Sequence, residues 1–278
     1  MIQLGQYATL EVVKTTDFGV YLDGGPFGEV LLPKRYVPEG TEPGNDVDIF
    51  LYCDSEDRVI ATTEKPFAKV GDIAYLRATD LADHGAFMDW GLMKDLFVPK
   101  NEQSEPMEKD KYYFVKVLLD ETTDRIYGSS KLPKFLDIQN DGELKLDEEV
   151  KLMAWTQTDL GFKMIINDQF IGLLFKNEVF QSLNMGKILR GYIKTIREDG
   201  RMDVSLQKSG YSSYIDDTTD FILNKLKENN GFLPITDSSA PTAIYEVLNM
   251  SKKTFKKAVG SLYKQRLIGL EEKGIRLL

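Results

Sequence analysis

Asp17-Phe18-Gly19-Val20-Tyr21 is followed by Gly28-Glu-Val-Leu-Leu-Pro-Lys34 and then by Arg58-Val-Ile-Ala-Thr62. The same order returns twice. Asp83-His84-Gly85-Ala86-Phe87 precedes Asp95-Leu-Phe-Val-Pro-Lys100 and Arg125-Ile-Tyr-Gly-Ser129. Asp159-Leu160-Gly161 precedes Gly172-Leu-Leu-Phe-Lys176 and Arg201-Met-Asp-Val-Ser205. The opening Asp and the closing Arg are 41, 42 and 42 residues apart. A fixed internal order at a long period means one small fold built three times.

Within each unit apolar residues alternate in short runs broken at turn residues. TLEVVK, GVYLDG, GEVLLP, DVDIFLY and RVIATT read as five strands of the first unit. KVGDIAYLRATD, GAFMDW, KDLFVP, YYFVKVLL and RIYGSSKL do so in the second, and EEVKLMAW, GFKMII, FIGLLF, GKILRGYI and RMDVSLQ in the third. Five regularly spaced strands with glycine turns predict a closed or nearly closed barrel of the OB type. The glycine after the first strand is expected to permit a sharp reversal that a side chain would hinder. The chain therefore divides into barrels at 1–65, 66–133 and 143–210, with a helical module at 212–278. The acidic run Glu143 to Glu149 reads as a linker.

The last module changes period. Asp216-Asp217-Thr218-Thr219-Asp220 supplies acidic and capping residues for a helix start, continuing FILNKLKENN to a C′ glycine, Gly231. A short strand at Phe232 follows, then a helix with Pro241 in its first turn, then a third helix capped by Ser251 and running to about Leu267. LIGL and GIRLL form a hairpin around Glu271 to Gly274. Helix, strand, helix, turn, helix and hairpin make a winged helix. On the third helix Phe255, Ala258, Val259 and Leu262 share one face, while Lys252, Lys253, Lys256, Lys257 and Lys264 share the other. Five lysines on one face form a stripe suited to phosphates. Base reading in a major groove uses Arg, Asn or Gln near the start of such a helix, and there are none there.

Composition narrows the function. The net charge of −9 is unevenly spread. Residues 1–65 carry 5 basic and 12 acidic side chains, 66–133 carry 9 and 12, 134–210 carry 11 and 12, and 211–278 carry 10 and 8. A polyanion is expected toward the C-terminal half. No run of about 18 apolar residues offers a membrane span. The N-terminus reads as a first strand, not as a secretion signal. Cys53 is the single cysteine and His84 the single histidine. A lone cysteine closes no intrachain disulfide, which fits a reducing cytoplasm. There is no phosphate-cradling Gly-x-x-x-x-Gly-Lys loop, no His-Glu-x-x-His and no nucleophile with a histidine in prospect. The expectation is a non-enzymatic protein without cofactor or metal.

The Asp-aromatic-Gly segments resemble the signature of the S1 RNA-binding domain, an OB-fold variant, and Arg201 to Leu206 resembles its closing strand. Three such domains before a winged helix resemble the conserved virulence factor B family, including YitL-like proteins. That resemblance implies a bacterial origin and single-stranded RNA as partner, in post-transcriptional or virulence regulation. It also implies where RNA contacts lie: the aromatic before the glycine, the aromatic two after it, a third-strand position held by His, and an Asp-x-x-x-Arg pair. Carried over, the first barrel has Phe18, Tyr21, Leu31 in place of the His, Asp54 and Arg58. The second has His84, Phe87, Phe97 at the His position and Arg125, with its acid displaced by one residue or supplied by Glu121. In the third, Leu160 and Lys163 replace the aromatics, Phe175 stands at the His position with Lys176 after it, and Arg197 replaces the Asp, followed by Arg201. Binding is expected through barrels two and three and the lysine stripe.

Plainer readings of the same residues stand beside this one. Strand aromatics serve as core, lysine stripes as solvated faces, and Arg197 and Arg201 pair with Glu198 and Asp199. Two other functions stay open: a DNA-binding transcription regulator working through the winged helix, and a ribosome-associated scaffold with a protein partner on the acidic first barrel.

Overall fold

A computed structural model describes residues 2–179, 183–208 and 211–278, with the side chains of 211–217 outside the description. The chain forms two compact units, Met1–Phe135 and Leu136–Leu278.

The first unit holds two five-stranded elements. Strands β1 (Tyr7–Thr16), β2 (Gly19–Asp23), β3 (Glu29–Pro33), β4 (Asp46–Cys53) and β5 (Val59–Thr62) close into a barrel in the order β1-β2-β3-β5-β4. Strands β6 (Ile73–Ala82), β7 (Gly85–Asp89), β8 (Leu96–Pro99), β9 (Tyr112–Asp120) and β10 (Arg125–Ser129) form a sheet in the order β10-β9-β6-β7-β8. Its last seam is made by side chains instead of ladder bonds. A Cβ on Gly128 would come within 2.8 Å of Val98, so β10 packs on β8 through that glycine. In β4, Ile49-Phe-Leu-Tyr-Cys53 is buried without alternation. Ile49, Leu51 and Cys53 enter the first core, while Phe50 and Tyr52 join the core of the second element. Phe50 meets Trp90 edge-on at 6.0 Å. A strand buried on both faces reads as a continuous apolar run.

The second unit holds the third barrel and the winged helix. Strands β11 (Glu149–Gln157), β12 (Gly161–Ile166), β13 (Phe170–Phe175), β14 (Ile188–Ile196) and β15 (Met202–Ser205) close in the order β11-β12-β13-β15-β14. The segment read as an acidic linker belongs to this barrel. Leu144 lies in its core, Asn140 bonds both backbone groups of Leu144 at 2.7 and 2.9 Å, and Asp137 bridges to Phe170. Acidic residues there face water while one leucine anchors the segment.

The repeat is close enough to compare position by position. The first strand slips register between Val12 and Lys14, between Ala78 and Asp80, and between Ala154 and Thr156. A bulge at the same place bends each first strand around its barrel. The glycine after that strand serves close approach more than reversal. A Cβ on Gly19, Gly85 or Gly161 would lie 2.2, 2.4 or 2.0 Å from the carbonyl oxygen of Leu32, Val98 or Leu174 on the facing strand. Gly85 and Gly161 do not sit at positive φ, so any residue could adopt their backbone and none could fit the space.

In the winged helix, α1 (Tyr211–Glu228) begins five residues before Asp216, so the predicted capping run lies inside the helix. Thr218 and Thr219 are buried there. Its C-terminus turns at Asn230 (φ 55°), and the Gly231 N–H reaches the Leu226 carbonyl at 2.7 Å. Asn230 therefore takes the C′ position expected for Gly231, which stands one residue later. Helix α2 (Pro241–Leu248) has Pro241 at its first turn. Helix α3 (Lys252–Lys264) is capped by the Ser251 side chain, which accepts from the Thr254 N–H. Strands β16 (Phe232–Leu233), β17 (Ile268–Glu271) and β18 (Gly274–Leu277) pair in the order β16-β18-β17. Phe255, Ala258, Val259 and Leu262 are all buried in the module's core.

Candidate nucleic-acid interface

Strand pairing places the predicted contact residues. In the first barrel Phe18 is 57% exposed beside Tyr21, the rings edge-on at 6.2 Å. Tyr21 lies across from Leu31. The Lys14 ammonium sits 4.6 Å above the Tyr21 ring and pairs with Glu29. Arg58 is turned back on Asp54, which accepts from its Nε and Nη2 at 2.8 and 2.7 Å. Burial pushes the Asp54 carboxyl up, but the Arg58 side-chain and backbone bonds outweigh it and hold the group below the usual range.

The second barrel gathers the densest aromatic surface. Phe87 lies directly across from Phe97 in the β7–β8 ladder. Their rings are 5.3 Å apart, and the exposed His84 ring lies 5.2 Å from Phe97 and 6.4 Å from Phe87. These rings face a cleft of about 650 Å³ that also takes in Lys94, Asp57 and Arg125. Arg125 does not pair with Asp120 or Glu121, as its place in the repeat led us to expect. Its Nη2 donates to Asp57 of the first barrel at 2.5 Å. Asp120 is occupied by the Thr122 N–H at 2.9 Å. Burial raises the Cys53 thiol on the cleft wall and pushes the Tyr52 hydroxyl up to about 12, so neither ionises near neutrality.

In the third barrel, register corrects one assignment. Lys163 lies across from Leu173, which therefore holds the position of Leu31 and Phe97. Phe175 faces Gly161 and is equivalent to Pro33 and Pro99. The misplacement by two residues came from matching Phe to Phe: counted from the repeated glycine, Leu31, Phe97 and Leu173 each stand twelve residues on, and Phe175 fourteen. Lys163 and Lys176 are exposed. Arg197 pairs with the buried Asp203 instead of Glu198, which raises its pKa and holds it to the barrel wall. Arg201 is 3.5 Å from Asp199 and largely exposed.

The lysine stripe of α3 divides. Lys252 donates to the Ser239 carbonyl at 2.8 Å, and Lys256 lies 3.8 Å from Asp237 in the loop before α2. No acid interrupts the helix itself, but the fold brings one to it. Lys253 and Lys257 are exposed.

Sequence reasoning quoted the recurring lysine of the repeat but missed the turn it opens. Lys34, Lys100 and Lys176 each open a 3-10 turn after the third strand, and each N–H bonds the carbonyl of Phe18, His84 or Leu160 at 2.8, 2.9 or 3.2 Å. The signal was the recurring lysine at the end of the third-strand run. Lys94 was also missed, since only the fold carries it to the cleft.

Among the described residues no group of three or more His, Cys, Asp or Glu is placed to hold a metal ion, and no helix is long and apolar enough to cross a membrane.

Three small barrels carrying S1-type motifs and a winged helix define a protein of nucleic-acid-binding domain type. The S1 domain family model matches residues 4–64, and the CvfB-like winged helix domain model matches residues 220–277. The chain is 31% identical to the Bacillus subtilis protein YitL, covering 94% of this chain and 89% of that one. It is 27% identical to conserved virulence factor B of Staphylococcus epidermidis, covering 99% and 94%. The chain belongs to the conserved virulence factor B and YitL family. A solved Streptococcus pneumoniae protein, described as multidomain with nucleic acid binding domains, is 21% identical over 99% of this chain and 98% of its own, with a TM-score of 0.44.

Proposed function

We propose that this chain binds single-stranded RNA without chemistry of its own and regulates gene expression after transcription in the cytoplasm. The observation that carries the reading is the His84, Phe87 and Phe97 ring cluster beside Arg125. Rings exposed on a barrel face stack unpaired bases, and neighbouring cations track the backbone. RNA readout uses such unstacked strands. Charge supports a second contact region. Residues 1–135 carry 15 basic and 24 acidic side chains, and residues 136–278 carry 20 of each, so the whole net charge lies in the first unit. Lys163, Lys176, Arg201 and the α3 lysines then take phosphates with little self-repulsion nearby. The regulatory part of the proposal draws on relatives named conserved virulence factor B.

The winged helix as a reader of duplex DNA is less well supported. The first two turns of α3 hold no Arg, Asn or Gln, and Lys252 is bonded to backbone. Binding of the full chain to one sequence as single-stranded RNA, single-stranded DNA and duplex, at two salt concentrations, tests the proposal. Single-stranded RNA is expected to bind tightest. Equal or tighter duplex binding at the higher salt overturns it.

A further inference from the structure

The turn between β4 and β5 reaches from the first barrel into the cleft of the second. Asp54 builds that turn, its Oδ1 accepting the N–H groups of Glu56 and Arg58 at 2.9 and 3.0 Å. Asp57 stands at the tip in the left-handed region, φ 60°. Its carboxylate points across the cleft, accepting from Lys94 Nζ at 3.1 Å and Arg125 Nη2 at 2.5 Å. Lys94 is further steadied by the Asp54 carbonyl at 2.6 Å. Both cations line the same cleft as Phe87 and Phe97.

We propose that Lys94 and Arg125 form a phosphate subsite for a single strand, and that Asp57 occupies it in the absence of nucleic acid as an internal competitor. The proposal rests on the reading of the second barrel as a nucleic-acid face. A carboxylate and a phosphodiester each present anionic oxygens to Arg and Lys, so one replaces the other without rebuilding the cations. The position is right for a backbone, because stacked bases on the rings leave their phosphates at the rim where these cations stand. Bonds from Lys94 and Arg125 hold the Asp57 carboxyl below the usual range, so the competitor stays charged near neutrality. The bridge is not what joins the barrels. Asp57 and Arg125 are 44% and 64% exposed, and pairs so exposed add little to stability. The Phe50–Trp90 contact, the Val70 N–H to Gly5 carbonyl bond at 3.0 Å and the Gln6 to Val70 bond at 2.8 Å hold the junction without it.

The test compares the full-length chain with Asp57→Asn, using a labelled ten-nucleotide single-stranded RNA over a salt series. Asp57→Asn should bind roughly three- to tenfold tighter at low salt, with the log–log salt slope steeper by about 0.7 for one further phosphate neutralised. The tighter binding should vanish when Lys94→Gln and Arg125→Gln are added. Tighter binding that persists in that background is a general charge effect and overturns the subsite. Unchanged or weaker binding by Asp57→Asn, with Phe87→Ala still losing affinity, overturns the subsite and leaves the second barrel as the RNA face. No binding by either protein at low salt overturns the RNA reading itself. An unchanged unfolding midpoint for Asp57→Asn shows that the junction is intact.

Discussion

Truncating Phe97 separates a ring used for stacking from a ring used only for packing. Phe97 is half-buried, and its ring contacts Phe87 at 5.3 Å and His84 at 5.2 Å. A fully buried Phe→Ala change costs about 3–5 kcal/mol, so roughly half of that, near 2 kcal/mol, is expected in folding stability at this position. If the exposed half stacks a base, binding loses a further 1–3 kcal/mol or so, about 5- to 150-fold in Kd. The salt slope should not move, because the ring carries no charge. Fluorescence anisotropy with a short labelled RNA, at concentrations corrected for the folded fraction from urea unfolding, separates the two effects. Phe97→Trp should keep or strengthen binding, since it preserves a stacking surface. The reasoning is refuted if Phe97→Ala loses stability while Kd per folded molecule stays at the wild-type value. It is also refuted if the loss comes with a flatter salt slope, which would place the ring beside a phosphate.

Other outcomes follow from the same geometry. Gly161→Ala should cost roughly 3 kcal/mol in urea unfolding, because its Cβ would meet the Leu174 carbonyl at 2.0 Å on backbone that cannot yield. Gly260→Ala, exposed within α3 with nothing inside 4 Å, should gain about 0.5–1 kcal/mol in the same assay. The Asp54 carboxyl is depressed in the folded protein, so its stabilisation is present above the ordinary value near pH 4 and lost as pH falls through the folded one. Asp54→Asn should therefore be less stable than wild type at pH 7, and the gap should narrow on acidification toward pH 3. Replacing Lys252, Lys253, Lys256 and Lys257 by Gln should weaken every RNA sequence by a similar factor. It should also flatten the salt plot by about 0.7 for each phosphate left without its lysine, whereas a sequence-selective loss would show base reading by α3.

What was legible in the sequence is what local periodicity writes there. The buried face of α3 and the Ser251 cap lie within one stretch of chain, and both stand where the 3.6-residue period puts them. The two-sided burial of β4 lies in the unalternated Ile49-Phe-Leu-Tyr-Cys53, which a reading of DVDIFLY as an alternating strand passed over. The role of the repeated glycines was not legible, because the atom that forbids a side chain belongs to a strand more than ten residues later. Asn230 was hidden by its neighbour, since both residues take positive φ and Gly231 is the more familiar C′ residue. Register was legible as well, in the constant twelve residues from each glycine to Leu31, Phe97 and Leu173. Matching Phe175 to Phe97 by residue type overrode that spacing, and the ladder puts Phe175 at the place of a proline.

The site was legible as residue types and not as partners. The Asp54–Arg58 pair stands as the Asp-x-x-x-Arg spacing implied, but other cations singled out for phosphate contact had to be re-read once the fold supplied the carboxylates: Asp203 for Arg197, Asp237 for Lys256 and, 68 residues away, Asp57 for Arg125. These partners differ in kind. Asp203 is buried beside Arg197 within one barrel, so breaking that pair would leave a desolvated charge, and Arg197 is better regarded as structure. Asp57 is exposed, comes from a neighbouring barrel and bridges two cations beside half-buried rings, so exchange for another anion leaves no charge buried. The repeat itself explains why this arises at the second barrel. Its first neighbour is the most acidic segment of the chain, and its own face keeps all three aromatic positions. On the proposed subsite, a strand stacked on those rings meets a carboxylate already bound to its cations, and the phosphate's share of the affinity is the difference between two anions for one pair of cations.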